Sequence, residues 1–366
     1  MADRPGLASS SAPGAAALRL AAIAAAASAG GWLWNLTGLP LGWLMGAALV
    51  TGAWVMLAHH VVLPRLLIRA AHVAIGTGVG LAITPDVVLR MVGWLPLMIL
   101  SALAGLLMAA AFAPVLARLG RVGPATAFFS LTPGGVIEMA NIGGRAGADR
   151  MTIAALHTIR VGMVVGLLPL VLFAFYPHDT RGQAASAIIA PGPLAVALAV
   201  GTLGGWIGHR VRLPAAWLLG AVLSVGVLAG AGLVVTPDEV LPPPLIAVAQ
   251  IVVGMSLGAR FERDRLAAIP RALAAGVPIL AVIMGVMAAL AVLASRFAAL
   301  DPPALVLAFS IGGMAEMVLT AKALHQDVAI VAAFQAVRAV IVNLFAGAIW
   351  SRLHLLISDR PKGPRS

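Results

Sequence analysis

Thr132-Pro133-Gly134-Gly135-Val136-Ile137-Glu138-Met139 and Ser310-Ile311-Gly312-Gly313-Met314-Ala315-Glu316-Met317 are two copies of one cassette, 178 residues apart. Each places a glycine pair and then a carboxylate inside a strongly apolar stretch. Glycine weakens a helix because it has the most backbone freedom to lose and no side chain to pack. A carboxylate at the centre of a lipid-embedded helix costs about 2.5–3.5 kcal/mol on insertion scales. Keeping both features twice predicts two broken, polar, functional segments, one in each half of a membrane protein.

The rest of the chain agrees with that setting. Of 366 residues, 61% are hydrophobic and 10% charged, with a mean hydropathy of +1.03. Soluble domains carry about 25% charged residues. The apolar runs are too long and unbroken for barrel strands, so helices satisfy the backbone in lipid. Cysteine is absent, which excludes a disulfide framework, a thiolate metal site and a thiol nucleophile. His59-His60 has no further ligand at useful spacing, so neither a metal nor a cofactor is expected. No phosphate-cradling Gly-Lys motif occurs, which argues against an ATP-driven pump. The net charge of +11 is spread over short loops rather than gathered on a folded domain, so nucleic acid is not an expected partner.

Fixed offsets show an internal duplication. At offset 174, Gly30, Gly31, Trp32, Pro40, Trp43 and Gly46 match Gly204, Gly205, Trp206, Pro214, Trp217 and Gly220. After Pro242-Pro243-Pro244 the offset becomes 178, and Gly76, Gly80, Asp86, Asp149 and Arg160 match Gly254, Gly258, Asp264, Asp327 and Arg338. The Ala-rich run from Ala15 to Ala29 imitates a signal peptide. It matches an internal segment, so it is expected to remain in the mature protein. The expected parts are a cytoplasmic tail (1–17), repeat 1 (18–176), a loop (177–192), repeat 2 (193–352) and a basic cytoplasmic tail (353–366).

Each half holds six apolar segments: 18–36, 41–59, 66–83, 93–117, 124–143 and 151–175, then 193–208, 215–235, 244–259, 271–295, 303–321 and 328–351. If all twelve cross with the N-terminus inside, the basic residues show almost no bias. If the two cassette segments enter and return, eighteen basic residues fall inside, and Arg90, Arg181, Arg296 and Lys322 fall outside. The positive-inside rule favours the second arrangement. Five crossings per half is odd, so the halves oppose one another. The expected fold is an all-α polytopic membrane protein of two inverted repeats, each of about five transmembrane helices plus one broken or re-entrant segment. Many secondary transporters are built this way. An unwound crossing helix is the variant of the same break.

The site residues follow from this frame. Removed from water, Glu138 and Glu316 require a cation, a proton or an arginine. Gly134-Gly135 and Gly312-Gly313 permit tight turns and expose backbone amides, which lets half-helix ends point at one central region. Arg160 and Arg338 each follow their glutamate by 22 residues within an apolar helix. They either neutralise it or hold an anion with a planar fork. His157 and Gln335 lie three residues earlier on the same face. Asn141 extends the polar lining. Thr320 is expected to bond its own backbone, and Asp149 and Asp327 to cap the sixth segments. Gly76-x-x-x-Gly80 and Gly254-x-x-x-Gly258 read as faces for close helix packing. His72 and Gln250 share those faces.

The duplicated Gly-Gly-x-x-Glu-Met cassette, Trp43-Leu44-Met45-Gly46 with Trp217-Leu218-Leu219-Gly220, and the stretch from Ala249-Gln250 to Gly258 resemble the membrane AbrB family, the Gram-negative AbrB duplication proteins. The resemblance covers residues 18 to 352, and half one departs from it with His72 in place of Gln250. It implies an architecture like that of inverted-repeat transporters. Members also carry the labels of regulators of gene expression and of ammonia monooxygenases. No exposed basic helix for reading DNA and no copper or iron ligand cluster stands in this sequence to support those labels.

The resulting expectation is a secondary transporter in the bacterial inner membrane, with both termini cytoplasmic and no catalytic residues. It would move a small solute, anionic if the arginines bind it, coupled to H⁺ or Na⁺ through Glu138 and Glu316. The bilayer, the solute and the ion are its expected partners, with a homodimer as an open assembly. The alternatives are an indirect regulator of gene expression in the membrane and a membrane-embedded oxygenase subunit.

Overall fold

A computed structural model describes residues 13–57, 60–83, 85–176, 187–231 and 239–358. Arg4, His59, Arg181, Asp238, Arg360, Lys362 and Arg365 lie outside them, as do most of the two tails and of the loop between the halves. Half one runs α1 (Pro13–Asn35), α2 (Gly42–Met56), α3 (Arg65–Gly80), α4 (Pro85–Gly120), α5 (Pro124–Leu131), α6 (Val136–Arg145) and α7 (Arg150–Phe175). Half two runs α8 (Pro191–Arg210), α9 (Ala216–Gly230), α10 (Pro243–Gly258), α11 (Arg263–Ala267), α12 (Pro270–Ala298), α13 (Pro302–Phe309), α14 (Met314–Ala323) and α15 (Val328–Ser358). A two-residue parallel pairing, Ala187–Ile188 with Glu239–Val240, ties the start of half two to the loop before α10.

Among the described residues seven helices are long and apolar enough to cross a membrane: α1, α4, α7, α8, α10 continuing through α11, α12 and α15. Helices α2 and α9 are apolar but shorter, at 15 residues each. Large apolar side chains stand exposed along the long helices, among them Leu107, Leu167 and Leu344. Such a surface suits lipid, where an exposed leucine carries no penalty. Segment four begins earlier than its apolar pattern indicates: α4 spans 36 residues and passes through Pro96 and Pro114 without ending. Proline is tolerated in lipid-embedded helices because neighbouring groups satisfy the freed backbone.

Each cassette segment is two short helices, of 8 and 10 residues in both halves. Eight residues rise about 12 Å, far less than the bilayer's hydrocarbon core. Helices α5 and α13 are buried along almost their whole length, as suits short helices that are apolar all round. Proline opens each one where a missing N–H costs nothing. Helix α5 stops at Thr132 (φ −60°, ψ 130°), held extended by Pro133. Pro133 in turn seats against Gly105 of α4.

Helix packing crosses between the halves. Helix α2 packs on α10 and α3 on α9, while α1 stays with α2 and α8 with α9. The glycine pairs explain the closeness. A Cβ at Gly76 would strike Leu218 and Ala221, and one at Gly80 would strike Val225. Gly254 and Gly258 meet Leu44, Ala47, Ala48 and Gly52 of α2 in the same way. With no hydrophobic drive between helices in lipid, this backbone-level contact holds them together.

Candidate functional site

Glycines at the breaks act through space rather than through unusual dihedrals. Gly135 (φ −68°, ψ 144°) and Gly313 (φ −80°, ψ 149°) are extended, a region open to any residue. What no other residue supplies is room. A Cβ on Gly135 would overlap the Glu138 carboxylate, and one on Gly313 would overlap that of Glu316. A Cβ on Gly134 or Gly312 would press on Met139 or Met317. Thus the first glycine seats the methionine and the second seats the glutamate. Each glutamate, in the first turn of α6 or α14, folds back over its own helix start. An anion is stabilised there by the helix dipole.

The two arginines take a role that the sequence reading did not weigh. Arg160 on α7 donates through Nη1 to Thr132 O (2.7 Å) and through Nη2 to Gly134 O (2.9 Å). Arg338 on α15 donates through Nη1 to Ser310 O and through Nη2 to Gly312 O (2.9 Å), and also to Gln335 Oε1. Among the described residues neither arginine forms an ion pair with a glutamate; Arg265–Glu262, at 2.7 Å, is the ion pair present. The forks instead bind carbonyls in the breaks just past α5 and α13, and Thr132 O also accepts from the Gly134 N–H at 2.9 Å. A cation suits a helix C-terminus for the same electrostatic reason that an anion suits the N-terminus.

His157 and Gln335 complete these clamps. His157 Nε2 reaches Phe129 O at 2.9 Å. Gln335 Nε2 donates to Leu307 O at 2.9 Å, with longer contacts to Ala308 O and Ser310 O. An i, i+3 pair on the following helix therefore secures the broken end of each short helix. The capping expectations hold: Asp149 accepts from Met151 and Thr152, Asp327 accepts from Ile330, and Thr320 Oγ1 donates to Glu316 O.

One cavity of about 620 Å³ takes in both breaks. Glu138, Glu316, Arg160, Arg338 and Gln335 line it, and so do Gly134, Gly135, Gly312 and Gly313. His157 is fully buried outside this lining, and Asn141 is exposed on α6 away from it. The cavity adds polar groups that the sequence reading did not assign to a site: Thr158, Ser256, Arg260, Glu262 and Arg265. Arg260 and Arg265 are two of the eighteen basic residues that the charge count assigns to the inside. A smaller cavity of about 140 Å³ lies further along α14, bordered by Leu241, Leu319 and Lys322.

The glutamates are not equivalent. Glu316 is 6% exposed, whereas Glu138 is partly open beside the exposed Ile137. His72, from the opposite half, borders the same cavity.

The fold and this interior define an all-helical protein suited to a membrane, with a polar chamber between two interrupted segments. The chain belongs to the family described as "Transition state regulatory protein AbrB", which matches residues 2–113 and again 43–354. It is similar to "Uncharacterized protein YhjN" of Bacillus subtilis (strain 168), 26% identical over 359 residues, covering 92% of this chain and 93% of that protein. It is also similar to "Putative regulator AbrB" of Escherichia coli (strain K12), 33% identical over 118 residues, 32% of this chain and 33% of that one.

Proposed function

We propose that the protein is an ion-coupled secondary transporter of the bacterial inner membrane, with ten crossing helices in two inverted repeats and both termini in the cytoplasm. The observation that carries this reading is the single cavity of about 620 Å³ that takes in both helix breaks and both glutamates. That volume lies within the range of small-molecule sites. Its border includes Val61 to Leu63, Pro214 to Ala215 and Ala259 to Leu266. The charge count assigns all three loops to the cytoplasm. The smaller cavity borders the loops assigned to the other side, and the buried Val318 and Leu319 lie along α14 beyond Glu316. This arrangement supports an inward-open state with an apolar outer barrier, as alternating access requires.

The coupling groups in this reading are the glutamates. The arginine forks are engaged by carbonyls, so an anionic solute would meet Arg260 at the cavity wall rather than Arg160 or Arg338.

The test is uptake into proteoliposomes. Solutes that raise the melting temperature of the purified protein are offered under an imposed pH or Na⁺ gradient. Wild type accumulates the solute, and Glu138→Gln and Glu316→Gln slow it at least about tenfold, the loss of about 1.4 kcal/mol of coupling. Folded variants that transport at wild-type rates overturn the assignment.

A further inference from the structure

We propose that His72 and Glu316 form a proton-transfer pair across the two halves, and that the protein has one such pair rather than two. His72 lies on α3 of half one and Glu316 on α14 of half two; the two helices pack together, and both side chains border the same cavity. Glu316 is nine-tenths buried, and among the described residues its carboxylate has neither an ion pair nor a hydrogen-bonded side chain as partner. The start of α14 favours the anion, burial opposes it, and a proton removes the cost of burial. Arg260 and Glu262 border the same cavity.

The transfer is simple to balance. A protonated imidazole gives up one N–H proton, the carboxylate gains an O–H, and both groups end neutral. A hydronium ion from the aqueous side of the cavity gives the proton to His72 and is left as water. The remaining charges on elements packed against α3 have other engagements or stand further off. Arg338 is held by Ser310 and Gly312, Lys322 lies further along α14, and His209 and Arg210 end α8 with Arg210 over the Trp206 ring. On α3 itself Arg69 stacks over Trp217, and Arg65 opens the helix.

Duplication does not reproduce the pair. The residue matching His72 in half two is Gln250, which does not titrate and does not border the cavity. Helix α3, which carries His72, packs on α14, the helix of Glu316, and Glu138 is more exposed than Glu316. The two broken segments therefore differ: the pair with His72 belongs to Glu316.

This inference rests on the proton-coupled form of the reading above, and infrared spectroscopy separates the two. Purified protein is titrated in the absence of any solute, following the carboxylic-acid carbonyl stretch. Wild type shows a band that grows as pH falls. Glu316→Gln removes it, Glu316→Asp keeps it at a new position, and Glu138→Gln leaves it in place. His72→Gln moves its midpoint to higher pH, because a neutral amide no longer opposes protonation of the carboxylate. A band that Glu138→Gln removes, a midpoint that His72→Gln leaves unchanged, or no titrating band in wild type overturns the pair. A normal titration with no solute uptake leaves the pair standing and overturns transport instead.

Discussion

Arg160 Nη2 donates to the carbonyl of Gly134 at 2.9 Å, and so fastens α7 to the first glycine of the broken segment 26 residues before it. Arg338 and Gly312 repeat the contact at the same 2.9 Å. Arginines that the sequence offered either as charge partners for the glutamates or as anion ligands are thus bonded to the backbone of each interruption. Removing Arg160 takes this donor from the Gly134 carbonyl and leaves Thr132 O with the Gly134 N–H alone.

Arg160→Ala is expected to destabilise the folded protein by about 1–3 kcal/mol, since it deletes two charge-assisted bonds and leaves the Gly134 carbonyl without its donor. Arg160→Lys recovers only part of this, because an ammonium lacks the planar fork. Thermal unfolding in detergent reads both. An Arg160→Ala protein that melts like wild type contradicts the clamp.

Gly135→Ala and Gly313→Ala are expected to push the glutamates off their helix starts. The new methyl occupies the carboxylate's position, and overpacking of this kind costs about 1–3 kcal/mol. Gly166→Ala is the control: nothing lies within 4 Å of the added carbon, and alanine favours a helix over glycine by about 1 kcal/mol. Melting temperatures that fall at 135 and 313 and hold or rise at 166 bear this out.

His157→Gln is expected to be nearly neutral, within about 1 kcal/mol. Gln335 already performs the equivalent task in half two, reaching Leu307 as His157 reaches Phe129. A large loss of stability would show that the imidazole has a further role.

Much of this was legible in the sequence, for identifiable reasons. The breaks could be read because glycine, proline and a carboxylate are rare together in apolar helices, and their repetition fixed the register. The caps at Asp149 and Asp327 followed from local chemistry alone. What escaped reading depended on three-dimensional proximity. The carbonyls that engage Arg160 lie 26 and 28 residues away, and their lone pairs leave no mark in the sequence. Asn141 matched the polar pattern but sits on the exposed face of α6. Arg260 contributed a loop charge to the topology argument and then proved to border the cavity. The segment-four start was hidden because Pro85 to Gly93 is less apolar than the stretch that follows.

Orientation is open to a labelling test. The chain has no cysteine, so single cysteines report without background. Val62→Cys and Leu266→Cys are expected to react with an impermeant maleimide from the cytoplasmic side, and Phe297→Cys from the other. Val62 and Phe297 are each 84% exposed, and Phe297 stands at the last turn of α12. Reaction of positions 62 and 297 from the same side contradicts the inverted arrangement.

Accessibility of a cysteine inside the chamber decides whether the space between the two breaks is a solute site opened in turn to each side. Thr158→Cys borders that cavity between Glu138 and Arg160 in sequence. Without solute, the impermeant reagent is expected to reach it from the cytoplasmic side only; with a transported solute and an imposed gradient, reactivity appears from the opposite side as well. A cysteine at 158 that stays unreactive from both sides, or reacts from one side whatever solute is present, contradicts the account.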